Sequence, residues 1–271
     1  MSIISGNTRG SGDHQIARSL RFRSSATPHL TITPLSAGDR KKWTVSGWIK
    51  RGLITAGGGL LLTAGTGAND RTFINIGTGS DVIQTGAAIA GAVTTWLASS
   101  ALLRDPSAWY HVVVSFDAAN ATAALRNRVY LNGVELTSFG TDNRSSISNT
   151  DYDISNTSDH YIGRNQQNTA WSDSLIAEVN FVDGLALDAT YFGQTNPTTG
   201  AWDPKKYTGT YGTTGYYLPF NDPTSTTTIG YDRQLGLSDS SKNNFTSSGI
   251  SVTAGVTNDS LVDTPTNYGD D

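Results

Sequence analysis

From Ser19 onward the chain is written in short words that alternate apolar and polar residues, each closed by turn residues. A strand sends successive side chains to opposite faces, so a period of two marks strands with one face in a core and one in solvent. Ser19-Leu20-Arg21-Phe22-Arg23 is the first such word, and His29-Leu30-Thr31-Ile32-Thr33, ended by Pro34, is the second. In the third, Trp43 to Lys50, Trp43, Val45 and Gly47 share one face and Thr44, Ser46 and Trp48 the other. Further strand words are Leu60-Leu61-Leu62, Thr72–Ile76, Thr95-Trp96-Leu97, Trp109–Asp117, His160–Arg164, Leu175–Phe181 and Gly215–Asp222. Arg128–Leu136 folds back on itself at Asn132-Gly133, because Asn-Gly supplies the positive φ angles of a two-residue hairpin turn. Ala87–Val93, small and without a period, reads as a short helical or loop insertion, and Leu185–Phe192 as a helical turn with Asp188 near its start.

Composition agrees with strands. Glutamate occurs only at Glu135 and Glu178 in 271 residues, so long amphipathic helices have little to be made from. Hydrophobic residues are 37% of the chain and charged ones 15%, with 29 glycines among many Ser, Thr and Asn. Many short strands with almost no helix predict an all-β, two-sheet antiparallel jelly-roll sandwich. Residues 1–17 read as an extended N-terminal arm, 18–222 as the sandwich, and 223–271 as a Ser/Thr/Asn-rich segment. That last segment either completes the sandwich from the other terminus or begins a second unit.

The formal net charge of −4 argues against a nucleic-acid partner, which needs a basic footprint. Arg18, Arg21 and Arg23, and the run Arg40-Lys41-Lys42, read as solvated strand ends, with contact to an acidic partner as the alternative. The chain has no cysteine, which excludes disulfides, thiolate catalysis and Cys-ligated zinc. No apolar run reaches the length that membrane insertion needs. Met1-Ser2-Ile3-Ile4-Ser5-Gly6 lacks the basic and apolar regions of a secretory signal. A displayed protein of this kind is expected to leave the cell inside an assembled particle.

The order of the words resembles a known family. Trp43–Lys50, then Trp109–Val114 with Val129–Val134, then Tyr161-Ile162-Gly163-Arg164 and Leu175–Val179 follow the sequence of strands in laminin G-like domains, over roughly residues 40 to 193. The resemblance implies a concanavalin A-like sandwich. Ser19-Leu20-Arg21-Phe22, Ala177–Gly184, Pro204–Gly212 and Asn258–Gly269 are similar to modules in structural proteins of tailed bacteriophages.

Enzyme chemistry has little to stand on. A glycosidase needs two carboxylates facing across a sugar. The related glucanases carry Glu-x-Asp-x-x-Glu, and here Glu178 is followed by Asn180 and Asp183 instead. Both glutamates read as strand-surface carboxylates. No Gly-x-Ser-x-Gly elbow accompanies His14, His29, His111 or His160. No catalytic residue is expected.

Binding is a different matter. Sugars are held by exposed aromatic faces with hydrogen-bonding neighbours. Trp171, flanked by Arg164, Asn165 and Asp173, fits that description, and Trp96 and Trp202 follow it. Laminin G-like sandwiches often hold calcium in rim loops, and calcium takes several oxygen ligands. Asn221, Asp222, Asp239 and Asn243 form one candidate set; Asp151, Asp153 and Asp159 form another. Both are also ordinary turn residues. The functional expectation is a non-enzymatic virion structural protein at the virion surface, either a capsid decoration or a tail or fibre component. The arm anchors it to other virion proteins, it forms a homo-oligomer, and host surface polysaccharide is its further partner. The alternative is a lectin-like adhesin whose main role is receptor binding; a glycoside hydrolase ranks below both.

Overall fold

The computed structural model describes residues 14–54, 59–77, 80–235 and 242–267. Most of the arm and Asp239 therefore lie outside the described residues. The strands are β1 (Ser19–Phe22), β2 (His29–Ile32), β3 (Lys42–Arg51), β4 (Leu60–Gly65), β5 (Arg71–Ile76), β6 (Ile83–Ile89), β7 (Ala92–Ser99), β8 (Trp109–Asp117) and β9 (Asn127–Leu131). There follow β10 (Val134–Glu135), β11 (Phe139–Asp142), β12 (His160–Ile162), β13 (Ser174–Asp183), β14 (Gly193–Thr195), β15 (Trp202–Pro204), β16 (Tyr216–Leu218), β17 (Thr246–Ser248) and β18 (Ser260–Leu261). Helical structure among the described residues is limited to short 3-10 turns.

Two eight-stranded antiparallel sheets face each other. The first runs β10-β9-β8-β3-β13-β1-β18, with β16 also on β13; the second runs β11-β7-β6-β5-β4-β12-β2-β17. The chain is thus the all-β sandwich that the alternation predicts. The C-terminal segment joins this sandwich from both sides: β17 pairs with β2 and β18 with β1. Arg21 and Arg23 are the clamp for that last strand. Both guanidinium groups lie on the buried Asp259 carboxylate, at 3.2 and 2.9 Å, so they are not the solvated strand ends that the sequence suggested.

Between the sheets, Trp43, Val45 and Ile49 of β3 meet Val112, Val114 and Phe116 of β8 and residues such as Leu61, Ile74 and Trp96 of the second sheet. Trp43 and Phe116 stack at 4.7 Å. Gly47 leaves room for the facing sheet: a Cβ there would lie 2.8 Å from Leu61 Cδ1. Asn132 and Gly133 take φ of 48° and 84°, the left-handed turn expected of them. Ala87–Val93 differs from its expectation. It belongs to the β6–β7 hairpin, turning at Ala90 and Gly91 with φ of 48° and 84°. Alanine has little intrinsic strand preference, so pairing with β5 decides the conformation there.

The outer face of the first sheet is also covered. Val113, Tyr130 and Val182 pack under Ala189, Phe192 and Tyr207, while Trp48, Trp109 and Ala177 pack under Ile16. Asp188 caps the turn Ala189–Tyr191 by accepting from Thr190 N at 2.8 Å. Ile16 is held by main-chain hydrogen bonds with the Thr264 and Thr266 hydroxyls at 2.9–3.0 Å. This third layer, from residues 14–17, 185–211 and 263–267, shapes the site described next.

Candidate functional site

Strand β13 carries a bulge. Ala177 faces Trp48 and Asn180 faces Ser46, so Glu178 and Val179 together oppose Gly47. The parity of the strand switches there: Ile176, Val179 and Phe181 point into the core, and Ala177 and Val182 point outward. Without the extra residue, Glu178 would share the core face with Ile176. The bulge turns its carboxylate out of the core, and Glu178 takes φ 49° to do so. That left-handed conformation costs a non-glycine residue ~1–2 kcal/mol, and bulges that need it ordinarily use glycine.

The carboxylate that results is not a strand-surface group. Glu178 is 4% exposed, and His14 Nε2 lies 2.6 Å from its Oε1. It lines a cleft of ≈ 770 Å³ with His14–Ala17 on one side and Asn221, Asp222, Arg233 and Gln234 on another. A second hollow of ≈ 500 Å³ adjoins it, sharing Lys206, Tyr217, Arg233, Gln234 and Leu235 and adding Tyr207 and Tyr211. Tyr211 stacks on Tyr217 at 6.4 Å and meets Tyr207 edge-on at 5.0 Å. The Tyr211 hydroxyl donates to Asn180 Oδ1 at 2.7 Å. Burial, and then the neighbouring Glu178 charge, hold the Tyr217 phenol well above its usual range; burial does the same to Tyr211. Both stay neutral hydrogen-bonding groups at any physiological pH.

The far wall is organised by Asp232, which is fully buried. Its carboxylate accepts from the backbone N–H groups of Tyr217, Gln234 and Asn243 at 3.0–3.1 Å and from Gln234 Nε2 at 2.8 Å. This explains where the calcium candidates fall. Asn221 and Asp222 line the cleft, but Arg233 donates to Asp222 Oδ2 at 2.7 Å. Hydrogen bonds from Thr224, and less so the Arg233 charge, hold Asp222 below the usual carboxylate range. Asn243 donates its amide to the Gly215 and Thr213 carbonyls at 2.8 and 3.2 Å, and Asp239 lies outside the described residues. In the other acidic loop, Asp151 reaches Arg40 at 3.6 Å, and Asp159 accepts from the Tyr161 hydroxyl at 2.8 Å. Among the described residues no three His, Asp or Glu side chains form a metal-holding group.

Trp171 lies in the hairpin between β12 and β13, bridged to Arg164. The structure does bring its predicted neighbours around it, but most are already engaged. The Arg164 guanidinium covers the Tyr161 ring at 3.9 Å and donates to Asn168 at 2.7 Å. Asn165 Oδ1 accepts from Thr169 N and Ala170 N, and its amide donates to Thr169 Oγ1. Asp173 accepts from Ser24 Oγ at 3.1 Å. Trp171 itself is half-buried, and its Nε1, Arg164 Nε and both Gln166 amide atoms are buried without hydrogen-bond partners.

Of the remaining candidates, Trp96 is buried and Trp202 half-buried. Trp96 is 2% exposed and stacks on Phe116. Trp202 donates to His111 Nδ1 at 2.9 Å, so the other ring nitrogen of His111 carries the proton and donates to Ser46 Oγ at 2.9 Å. That Ser–His pair is sealed between Trp48 and Trp202, and burial pushes His111 down to about 3. Burial likewise pushes His160 down to about 4. Glu135 is exposed on β10, 3.8 Å from Arg128, as the sequence expected.

The Glu178 cleft is not among the sites to which the sequence points. One signal was present: in Ile176-Ala177-Glu178-Val179-Asn180-Phe181 the period of two breaks at the glutamate, which is the mark of a bulge.

A family model described as the concanavalin A-like lectin/glucanases superfamily matches residues 24–190. A search of curated protein sequences finds no match. Similar solved structures include a heptameric SAP-like pentraxin from Limulus polyphemus, 18% identical, with a TM-score of 0.44 over 64% of this chain and 79% of that one. Another is the LG4-5 region of the mouse laminin α1 chain, 16% identical, with a TM-score of 0.44 over 75% of this chain and 49% of that one. A third is the carbohydrate binding module CBM66 from Bacillus subtilis, 14% identical, with a TM-score of 0.33 over 55% of this chain and 76% of that one.

Proposed function

We propose that this chain, which belongs to the concanavalin A-like lectin/glucanases superfamily, is a non-catalytic module that binds carbohydrate. The observation that carries the reading is the open cleft on the outer face of the first sheet. Its volume suits a small ligand, and tyrosine faces stand beside a carboxylate, a guanidinium and an amide. Sugar rings offer a C–H face to aromatics and hydroxyls to such polar groups. Among the described residues Asp222 is the other carboxylate lining the cleft, and Arg233 engages it. A glycan array tests the reading. The wild-type chain is expected to bind, and Tyr217→Ala to lose about tenfold or more in affinity. An array with no bound glycan would refute it.

A second contact at the Trp171 hairpin is favoured by one observation. Four buried polar atoms at Arg164, Gln166 and Trp171 lack partners, and a ligand's hydroxyls would satisfy them.

The module is displayed on the surface of a tailed-phage particle, as a capsid decoration or a tail or fibre component. Of the arm expected over residues 1–17, His14–Ala17 are taken up by the sandwich and its cleft, so the residues ahead of His14 attach it to other virion proteins; the chain forms a homo-oligomer, and host surface polysaccharide is the ligand. The phage-like words in the sequence support this. Among them, Asn258–Gly269 includes Asp259, which the Arg21 and Arg23 side chains hold against β1. Cryo-electron imaging of purified particles tests it. Density attributable to this chain on capsid or tail is expected, and its absence from both would refute the assignment.

A further inference from the structure

The cleft poses a question that carbohydrate binding alone does not answer, namely why its floor carries a glutamate. A left-handed bulge position is the natural place for glycine, yet the side chain there is one of only two glutamates in the chain. The carboxylate is nearly removed from water while it lines the cleft. Strained backbone combined with a buried charge recurs where a side chain must be aimed at a ligand. The charged groups around Glu178 fix what that ligand can be. His14 touches one carboxylate oxygen, and Arg233 spends its charge on Asp222. Lys206 and Lys242 stand at the lining of the cleft. A carboxylate accepts up to about four hydrogen bonds, so Glu178 keeps acceptor capacity beyond its contacts with His14 and the Tyr217 hydroxyl.

We infer that Glu178 sets the specificity of the cleft, accepting hydroxyls of a neutral hexose and rejecting the corresponding uronic acid. The inference rests on the carbohydrate reading. The chemistry is simple: ring hydroxyls donate to the carboxylate, whereas a second carboxylate in the same poorly hydrated space is repelled. A lectin that discriminates at one carbon does so by what it cannot pair as much as by what it can.

The test uses matched probes that differ only at C6: the methyl glycosides of D-glucose and D-glucuronate, and of D-galactose and D-galacturonate. Affinities are read by ligand-observed NMR titration on the full chain. Wild type is expected to favour the neutral sugar of one pair by about tenfold. Glu178→Gln keeps the shape and is expected to hold Tm within about 2 °C while the ratio falls toward one. A uronate bound as well as its hexose by wild type, or a ratio unchanged in Glu178→Gln, would overturn the inference and leave carbohydrate binding intact. A large loss of Tm in Glu178→Gln would overturn it too, making the carboxylate a structural group. If wild type binds neither pair the inference fails, and the glycan array then decides whether the carbohydrate reading fails with it.

Discussion

The Glu178 cleft and the Trp171 hairpin are both aromatic and polar, yet they are built in opposite ways. In the hairpin, Asn165 bonds its own turn, and Arg164 lies on the Tyr161 ring. It is a local structure whose polar residues mostly serve the backbone that carries them. The cleft is assembled from segments distant in sequence: residues 14–17, Glu178, 206–212, Tyr217, 221–224 and 233–235. Its polar groups are fixed from behind by Asp232 and by the bulge, and they line open space. A binding surface needs groups positioned around an open space, and the cleft gathers such a set from several segments.

The comparison can be stressed from several directions. The largest effect should come from acid. His111 and His160 have folded-state values of about 3 and about 4, below the ordinary 6.5 that each regains on unfolding. Between those values the unfolded chain binds more protons, so stability is full above about pH 6.5 and falls as pH drops. The slope approaches ~1.4 kcal/mol per pH unit for each histidine. Tm measured from pH 7 to 4 should fall steeply, and His111→Gln should flatten that fall. Because His111 supports Trp202 in the layer over the first sheet, hydrogen exchange at pH 4.5 should rise there before it rises in the hairpin. A flat Tm profile would remove the buried neutral histidines from the account.

Asp232→Ala comes next. It strips a buried carboxylate from three backbone N–H groups, so a loss of ~3–5 kcal/mol is expected in chemical denaturation. A loss below ~1 kcal/mol would mean that the far wall of the cleft is not held as described. Third, Tyr217→Ala should weaken glycan binding by about tenfold or more, a larger loss than Trp171→Ala causes. The reverse order would make the hairpin the principal site. The smallest effect should be Asn165→Ala, which costs ~1 kcal/mol of stability through its turn and leaves glycan affinity within about twofold.

Much of the sandwich was legible in the sequence, because one buried and one polar face per strand is a local property. The words at β1, β2, β3, β8, β9, β12 and β13 could be read from alternation and turn residues. Short edge strands such as β11, β17 and β18 could not, since their stability comes from partners far away in the chain. Trp48, Ala177 and Val182 sit on the nominal outer face yet are buried. Period two assigns a face to each residue but does not say whether a third layer covers it. Glu178 was legible only as a break in period. The burial of its carboxylate depends on His14, Tyr217 and the bulge together, and no window of the sequence contains all of them.

The most direct test of the central claim is hydrogen–deuterium exchange on the wild-type chain, with and without the glycan that gives the strongest array signal. The account predicts slowed exchange at residues 14–17, 206–217 and 231–235, where the cleft walls meet the ligand. Protection confined to residues 163–173, with the cleft walls unchanged, would contradict it.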